Sequence, residues 1–240
     1  MSPSHLLHIH LGRCTYNHAS ALQSRIVSAF LLSKAKSSHL APAPTILTSE
    51  FNPVYTLGRR ERDLLTPEVL SKLTSYGAEA HTTLRGGQTT FHGPGQLTAY
   101  VILDLKSHNL TPRCYVRMLE TALIGTCARF GISAFTTENT GVWTSATRKI
   151  AAVGVHMRRN ITSHGIGLNI STNTDWFDQI IPCGLEGVDT WSFEKEGVLG
   201  KSVEEVGGVF SEGVAKLVGC GRVKRVEEAE VLDGVSTTIQ

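Results

Sequence analysis

Between Arg85 and Gln96 the chain reads RGGQTTFHGPGQ, four glycines and one proline in twelve positions. No helix persists through such a segment, since each interior glycine costs about 1 kcal/mol relative to alanine and an interior proline about 3 kcal/mol. Strand-like runs flank it, AEAHTTL before and LTAYVILDL after. A hairpin joining two strands needs far fewer special residues, so the expectation is a ligand-binding loop. Its glycines let the backbone approach a bound molecule and aim N–H groups at it, while Arg85 and His92 add charged or hydrogen-bonding tips. The spacing fits neither GxxxxGK followed by Ser or Thr nor GxGxxG, which removes the usual nucleotide readings.

Around this segment, strand and helix signals alternate. LLHIHLG reads as a strand, and Ala19, Leu22, Ile26 and Phe30 mark one helical face before the strand TILTSEF. Thr66-Pro67 and Thr111-Pro112 read as N-caps followed by first helical turns. The second opens a helix with Val116, Leu119, Leu123, Cys127 and Phe130 on one face, ended at Gly131. From Ile132 to Ile170 the residues are β-branched and punctuated by glycines, which predicts consecutive strands. Ser202 with Glu205 forms a capping box that opens a last helix. The expected fold is α/β, an α+β-like mixed sheet with flanking helices, in one domain over residues 1–240 with a frayed tail after about residue 226.

Composition narrows the class. Of 240 residues, 41% are hydrophobic and 18% charged, which argues against disorder. No apolar run approaches the roughly 20 residues of a membrane span. The net charge of +2 does not advertise a nucleic-acid surface. The first acidic residue is Glu50, and Arg13, Arg25, Lys34 and Lys36 precede it, a basic opening like that of organelle transit segments. It also reads as a first strand and helix beginning within a few residues of Met1, with little room for a cleavable presequence.

Five cysteines form no CxxC pair, and no His, Cys and acid cluster has the spacing of a zinc site, so neither a disulfide framework nor a metal is expected. Cys183, between Pro182 and Gly184, reads either as a nucleophile or as a small residue in a turn. Lys149, beside Arg148, reads either as a functional amine or as a solvated charge. His92 and His164 are candidates for positioning a substrate.

Three segments, RGGQTTFHGPGQL, RKIAAVGVHMRR and HGIGLNISTNTDWFDQIIPCGLEGV, together with LGR and PVYTLGR, resemble the LipB-type lipoyl(octanoyl) transferases over about four fifths of the chain. The resemblance implies the catalytic-domain fold of biotin and lipoate ligases. It implies transfer of an octanoyl group from octanoyl-acyl carrier protein to a lysine of lipoyl-domain or glycine-cleavage H-type acceptor proteins, with no cofactor. Cys183 falls where the family forms its acyl-thioester and Lys149 where a lysine acidifies that thiol. The substrate-binding positions it implies are Arg85, Gly86, Gly87, Gln88, Thr89, Thr90, Phe91 and His92, then Ala152, Val153 and Gly154, then Gly165, Ile166 and Gly167. Gly167 stands where alanine is frequent, which would widen the acyl pocket slightly or reflect local packing.

The chemistry agrees with these roles. An ordinary thiol, with pKa near 8.5, is only a few per cent ionised at pH 7, and a neighbouring ammonium raises that fraction. Burying about seven methylene or methyl groups stabilises a bound medium chain by roughly 5 kcal/mol. An acidic carrier calls for a basic surface, for which Arg59, Arg60, Arg62, Arg158 and Arg159 are candidates. The rivals are an ATP-dependent lipoate or biotin ligase, which needs no cysteine, and a non-catalytic carrier-binding module. The resemblance implies a mitochondrial location, with a bacterial cytoplasm as the alternative.

Overall fold

The computed structural model describes residues 5–36, 41–61, 63, 65–181, 184, 185 and 187–231. In chain order the elements are β1 (Leu6–Cys14), α1 (Tyr16–Ala35), β2 (Thr45–Phe51), β3 (Val54–Leu57), α2 (Pro67–Thr74), β4 (Glu79–Thr82), β5 (Thr90–His92), β6 (Gln96–Ile102), α3 (Pro112–Arg129), β7 (Val142–Trp143), β8 (Arg148–Arg158), β9 (Ile161–Asn169), β10 (Asp189–Thr190), α4 (Val203–Leu217) and β11 (Val223–Arg225). Thr15, Thr66, Thr111 and Ser202 cap the four helices through their side-chain oxygens, because each accepts an N–H that the first turn leaves unpaired. At the last of these the expected box is half made: Ser202 accepts from the Glu205 N–H, while the Glu205 carboxylate pairs with Lys201 at 3.0 Å.

β6 is buried along its whole length, which explains why LTAYVILDL is apolar on both faces. One face turns Leu97, Ala99 and Val101 into a core with Leu119 and Leu123 of α3 and Val206, Phe210 and Val214 of α4. The other turns Tyr100 and Ile102 against Ala19, Leu22, Ile26 and Phe30 of α1, the helical face legible in the sequence. The large sheet runs β10-β8-β9-β6-β2-β1-β11, with β7 also pairing β8. The glycine-punctuated run forms the consecutive strands expected of it, β7 to β9; their pairing and that on to β6 and β2 is antiparallel, while β1 pairs β2 and β11 in parallel.

A second sheet, β4-β3-β5, stands over the first. β5 is the strand TFH inside the glycine-rich segment, and it places Phe91 in a small core with Tyr55, Leu57, Leu73 and Phe177. That segment is therefore two turns around a short strand rather than one loop. The C-terminal expectation also changes. β11 adds to the sheet edge, and Val226 and Val231 are buried in the α1-side core, so packing continues to Val231, and residues 232–240 lie outside the described residues.

Candidate active site

The space between the two sheets is a cavity of about 510 Å³. Of the expected substrate-binding residues, Arg85, Gly86, Gly87, Gln88, Thr90, His92, Ala152, Val153, Gly154, Gly165, Ile166 and Gly167 line it, and so does Lys149. Segments far apart in the chain thus converge: the turn around β5, the middle of β8 and the facing stretch of β9. Thr89 and Phe91 do not line this cavity. Both the Thr89 N–H and its hydroxyl donate to the Glu61 carboxylate, the latter at 2.6 Å, so this residue ties the turn down. Phe91 stacks on Trp176 with ring centres 5.0 Å apart and planes 4° apart, and borders only a small adjoining pocket. Cys183 and Arg62 lie outside the described residues.

Glycines set how closely the chain segments approach in and around the cavity wall. A Cβ on Gly58 would collide with the Gly87 carbonyl, and one on Gly165 with the Ala99 carbonyl, so at both points two chains pass too close for any side chain. At Gly154 an added Cβ would lie 3.1 Å from Arg85 Cδ. Gly167 leaves less room than the wider-pocket expectation supposed. A Cβ there would sit 3.1 Å from Gln96 Oε1 and 3.4 Å from His92 Cε1, so the space adjoins a hydrogen-bonded pair.

Lys149 belongs to β8 where β7 and β10 join it, opposite Trp143 and Thr190. Its Nζ stands 5.3 Å from the centre of the Trp143 ring, a cation–π contact. The Trp143 indole N–H donates to the Asn139 carbonyl at 3.1 Å, which fixes the ring. Gly141, at φ +129°, passes so close to the Lys149 stem that a Cβ there would be 2.6 Å from Cε. The lysine is held in a slot rather than left to solvent.

Arg85 is buried, with a guanidinium that donates to the Thr56 hydroxyl and carbonyl and to the Gly86 carbonyl. Its charge reaches both cavity histidines. Burial first, then Arg85, pushes the His92 pKa down to about 4 and that of His164 to about 3. Both are neutral near pH 7. His164 has φ +58°, uncommon for a residue with a side chain, and the Gln23 side chain of α1 accepts its backbone N–H.

Sequence reasoning missed several cavity residues, among them Tyr16, Thr56, Thr98, Tyr100 and Leu185. Nothing in their local spacing marks them, since they come from α1, β3, β6 and the segment before β10 and meet only in the folded chain. Of the arginines proposed for docking, Arg60 lines the cavity, and burial first, then the charges of Arg59 and Arg158, lowers the pKa of His156 on β8. Arg159 occupies the two-residue turn between β8 and β9 with Asn160, both at positive φ, and its carbonyl accepts from Lys34 Nζ at 2.9 Å. Among the described residues no group of side chains could hold a metal ion, and Cys14, Cys114, Cys127 and Cys220 are free.

Residues 16–206 match the family described as Lipoyl protein ligase A/B catalytic domain. A protein of Schizosaccharomyces pombe named probable octanoyltransferase is 52% identical over 195 residues, 80% of this chain and 87% of that protein. The mitochondrial octanoyl-acyl-carrier-protein:protein N-octanoyltransferase of Danio rerio is 42% identical, covering 78% of this chain and 81% of its own length. In fold, the chain is similar to a crystal structure of lipoate-protein ligase A bound with ATP, with a TM-score of 0.67 at 14% identity over 99% of this chain and 93% of the other. With the family matched over most of the chain and relatives this similar over most of their length, the chain belongs to the LipB-type octanoyltransferases, acyltransferases that share the lipoyl protein ligase A/B catalytic domain.

Proposed function

We propose that this octanoyltransferase takes its acyl group from an acyl carrier protein thioester, holds it on Cys183, and passes it to a lysine of a lipoyl-type acceptor protein with Lys149 as the proton carrier. The observation that carries this reading is the shared lining of one cavity. Lys149 meets there the RGGQTTFH turn together with Gly184 and Leu185, the two residues that follow Cys183 in sequence. Relatives in Danio rerio and Homo sapiens bear names that include octanoyl-acyl-carrier-protein as donor and a protein as acceptor, which supports the choice of partners. Relatives in Homo sapiens, Saccharomyces cerevisiae and Arabidopsis thaliana are named mitochondrial, and the mitochondrion is the location of this enzyme.

In the first half-reaction the Cys183 thiolate attacks the carrier thioester, the carbon–sulfur bond to the carrier breaks, and the carrier sulfur leaves as a thiol with a proton from the Lys149 ammonium, which becomes a neutral amine. Exchange of one thioester for another is nearly neutral in free energy. In the second, the acceptor lysine attacks as a free amine, the bond to Cys183 breaks, and an amide forms irreversibly. The amine must shed a proton and the departing sulfur must gain one, and the slotted Lys149, now a neutral amine, takes the first and supplies the second. The apolar part of the cavity binds the chain, where each carbon more or fewer changes discrimination by only about 1–3 kcal/mol, so length preference is graded.

The test is intact mass after incubation with octanoyl carrier protein. The expected result is one octanoyl adduct on the wild type and none on Cys183→Ser. A Cys183→Ser enzyme that still transfers octanoyl groups at the full rate overturns the nucleophile, and modification that requires free octanoate and ATP instead of the carrier overturns the reaction.

A further inference from the structure

Gln96 is buried on β6 beneath the cavity, and its amide is held at three points. Nε2 donates to the Phe91 carbonyl at 3.2 Å and to Asn169 Oδ1 at 2.9 Å, and Oε1 lies 2.6 Å from His92 Nδ1. Asn169 in turn donates from Nδ2 to the Trp191 carbonyl at 3.0 Å.

The chain of bonds has one consistent polarity. A backbone carbonyl only accepts, so the Asn169 atom on Trp191 is nitrogen and the atom turned to Gln96 is oxygen. Gln96 must then offer nitrogen to Asn169 and Phe91, which leaves its oxygen for His92. An amide oxygen cannot donate, so the proton of the neutral imidazole is on Nδ1 and the lone pair is on Nε2. No described residue hydrogen-bonds to Nε2, and His92 lines both the main cavity and the small pocket beside it, as Lys149 does.

We infer that His92 Nε2 accepts a hydrogen bond from the attacking lysine amine, and that Gln96 and Asn169 are positioning residues that fix it as an acceptor. This rests on the acyl-transfer reading above. As the carbon–nitrogen bond forms and the carbon–sulfur bond breaks, the proton leaving nitrogen passes through Lys149 to sulfur. His92 ends the step with the protons it began with. Its depressed pKa, near 4, suits that role, because such an imidazole stays unprotonated at neutral pH and is too weak a base to keep the amine's proton. What it supplies is direction, turning the amine lone pair toward the acyl carbon. In this tautomer it has no proton to offer a developing oxyanion.

Long-range nitrogen–proton correlation spectra of the full-length enzyme, labelled at histidine nitrogens, read the tautomer directly, with His92→Gln to assign the signals. The expected pattern for His92 is a protonated Nδ1 and an unprotonated Nε2; the reverse overturns the inference whatever the enzyme does. Gln96→Met removes the 2.6 Å acceptor that sets the tautomer and leaves Nδ1 only the adaptable Thr98 hydroxyl 3.4 Å away. Transfer from acyl-enzyme to acceptor lysine should fall about tenfold while self-acylation from the carrier stays within about twofold; equal slowing of both, or of neither, overturns it. Gln96→Glu keeps an acceptor on Nδ1 but makes the imidazole more basic, against the opposing charges of Arg85 and Lys149 and beside His164. The acceptor step should then lose rate at acidic pH where the wild type does not, and an unchanged profile counts against the assignment. A wild-type enzyme that never gains acyl mass refutes the thioester reading instead, and the nitrogen spectra still decide the tautomer.

Discussion

Lys149 and Trp143 are cross-strand neighbours, and the ammonium of one rests 5.3 Å from the ring centre of the other. The contact is worth about 0.5–1 kcal/mol where water still reaches it, too little to hold a flexible side chain alone. Confinement comes from the backbone of Gly141 on the stem. Gly141→Ala should therefore displace the amine by forcing Cβ against both Cε and the Ala151 carbonyl, in a backbone conformation unsuited to alanine. Self-acylation by the octanoyl carrier, followed by intact mass, is expected to slow by about tenfold or more, with a loss of about 1–3 kcal/mol in denaturant stability. A variant as fast as wild type would show that the lysine is not held there.

The buried neutral histidines make the fold sensitive to acid. His8, His92 and His164 have folded pKa values lowered from 6.5 to about 4, about 4 and about 3. Between those values and 6.5 the unfolded chain binds more protons than the folded one, so stability rises with pH there and is lost as pH falls. Each such group contributes up to about 1.4 kcal/mol per pH unit within its window. Urea unfolding should show a steep decline from pH 6.5 toward pH 4 and little change above pH 7.5. His8 bonds to Thr48 away from the cavity, so His8→Gln should flatten that slope and leave kcat unchanged.

Arg59 and Arg158 are exposed and act together on His156, with Arg60 lining the cavity beside them. An acidic carrier delivering its thioester here would be steered by these charges. Arg59→Glu with Arg158→Glu should raise KM for octanoyl carrier protein about tenfold at low salt and weaken the salt dependence. Transfer from a small, uncharged octanoyl thioester should be unaffected. Equal losses with both donors would mean that the substitutions damage the site rather than the docking.

Phe91 belongs to the binding turn in sequence but to the small core in space. Phe91→Ala should cost about 3–5 kcal/mol of stability by opening a cavity against Trp176 and Tyr55. At a temperature where the variant remains folded, KM for the acyl donor should change by less than about threefold, since the ring borders only the small adjoining pocket. A large KM effect would assign Phe91 to substrate contact after all.

Much of the fold was legible because local chemistry dictates it. Thr111-Pro112 and Gly131 bracket α3, and the glycine-punctuated run folds into β7, β8 and β9. The segment RGGQTTFHGPGQ stands out in the sequence, but β5 within it does not, because three residues carry no period and become a strand only by pairing with β3. The same limit applies to the site. Arg85 and His92 announce themselves in a glycine-rich run, whereas the tie from Thr89 to Glu61 spans 28 positions and the one from Gln96 to Asn169 spans 73. Spacing encodes neighbours along a helix or strand; it does not encode partners brought together by sheet order.

The close passages of Gly58 over Gly87 and of Gly165 over Ala99 bear on how such an enzyme changes over generations. At these two crossings mutation has little to act on, since almost any replacement there breaks the architecture before it alters a preference. New tastes in cargo must enter through lining side chains elsewhere, such as Tyr16, Tyr100, Val116 and Leu185. Variation in what the cavity accepts is thereby separated from the slot that holds Lys149.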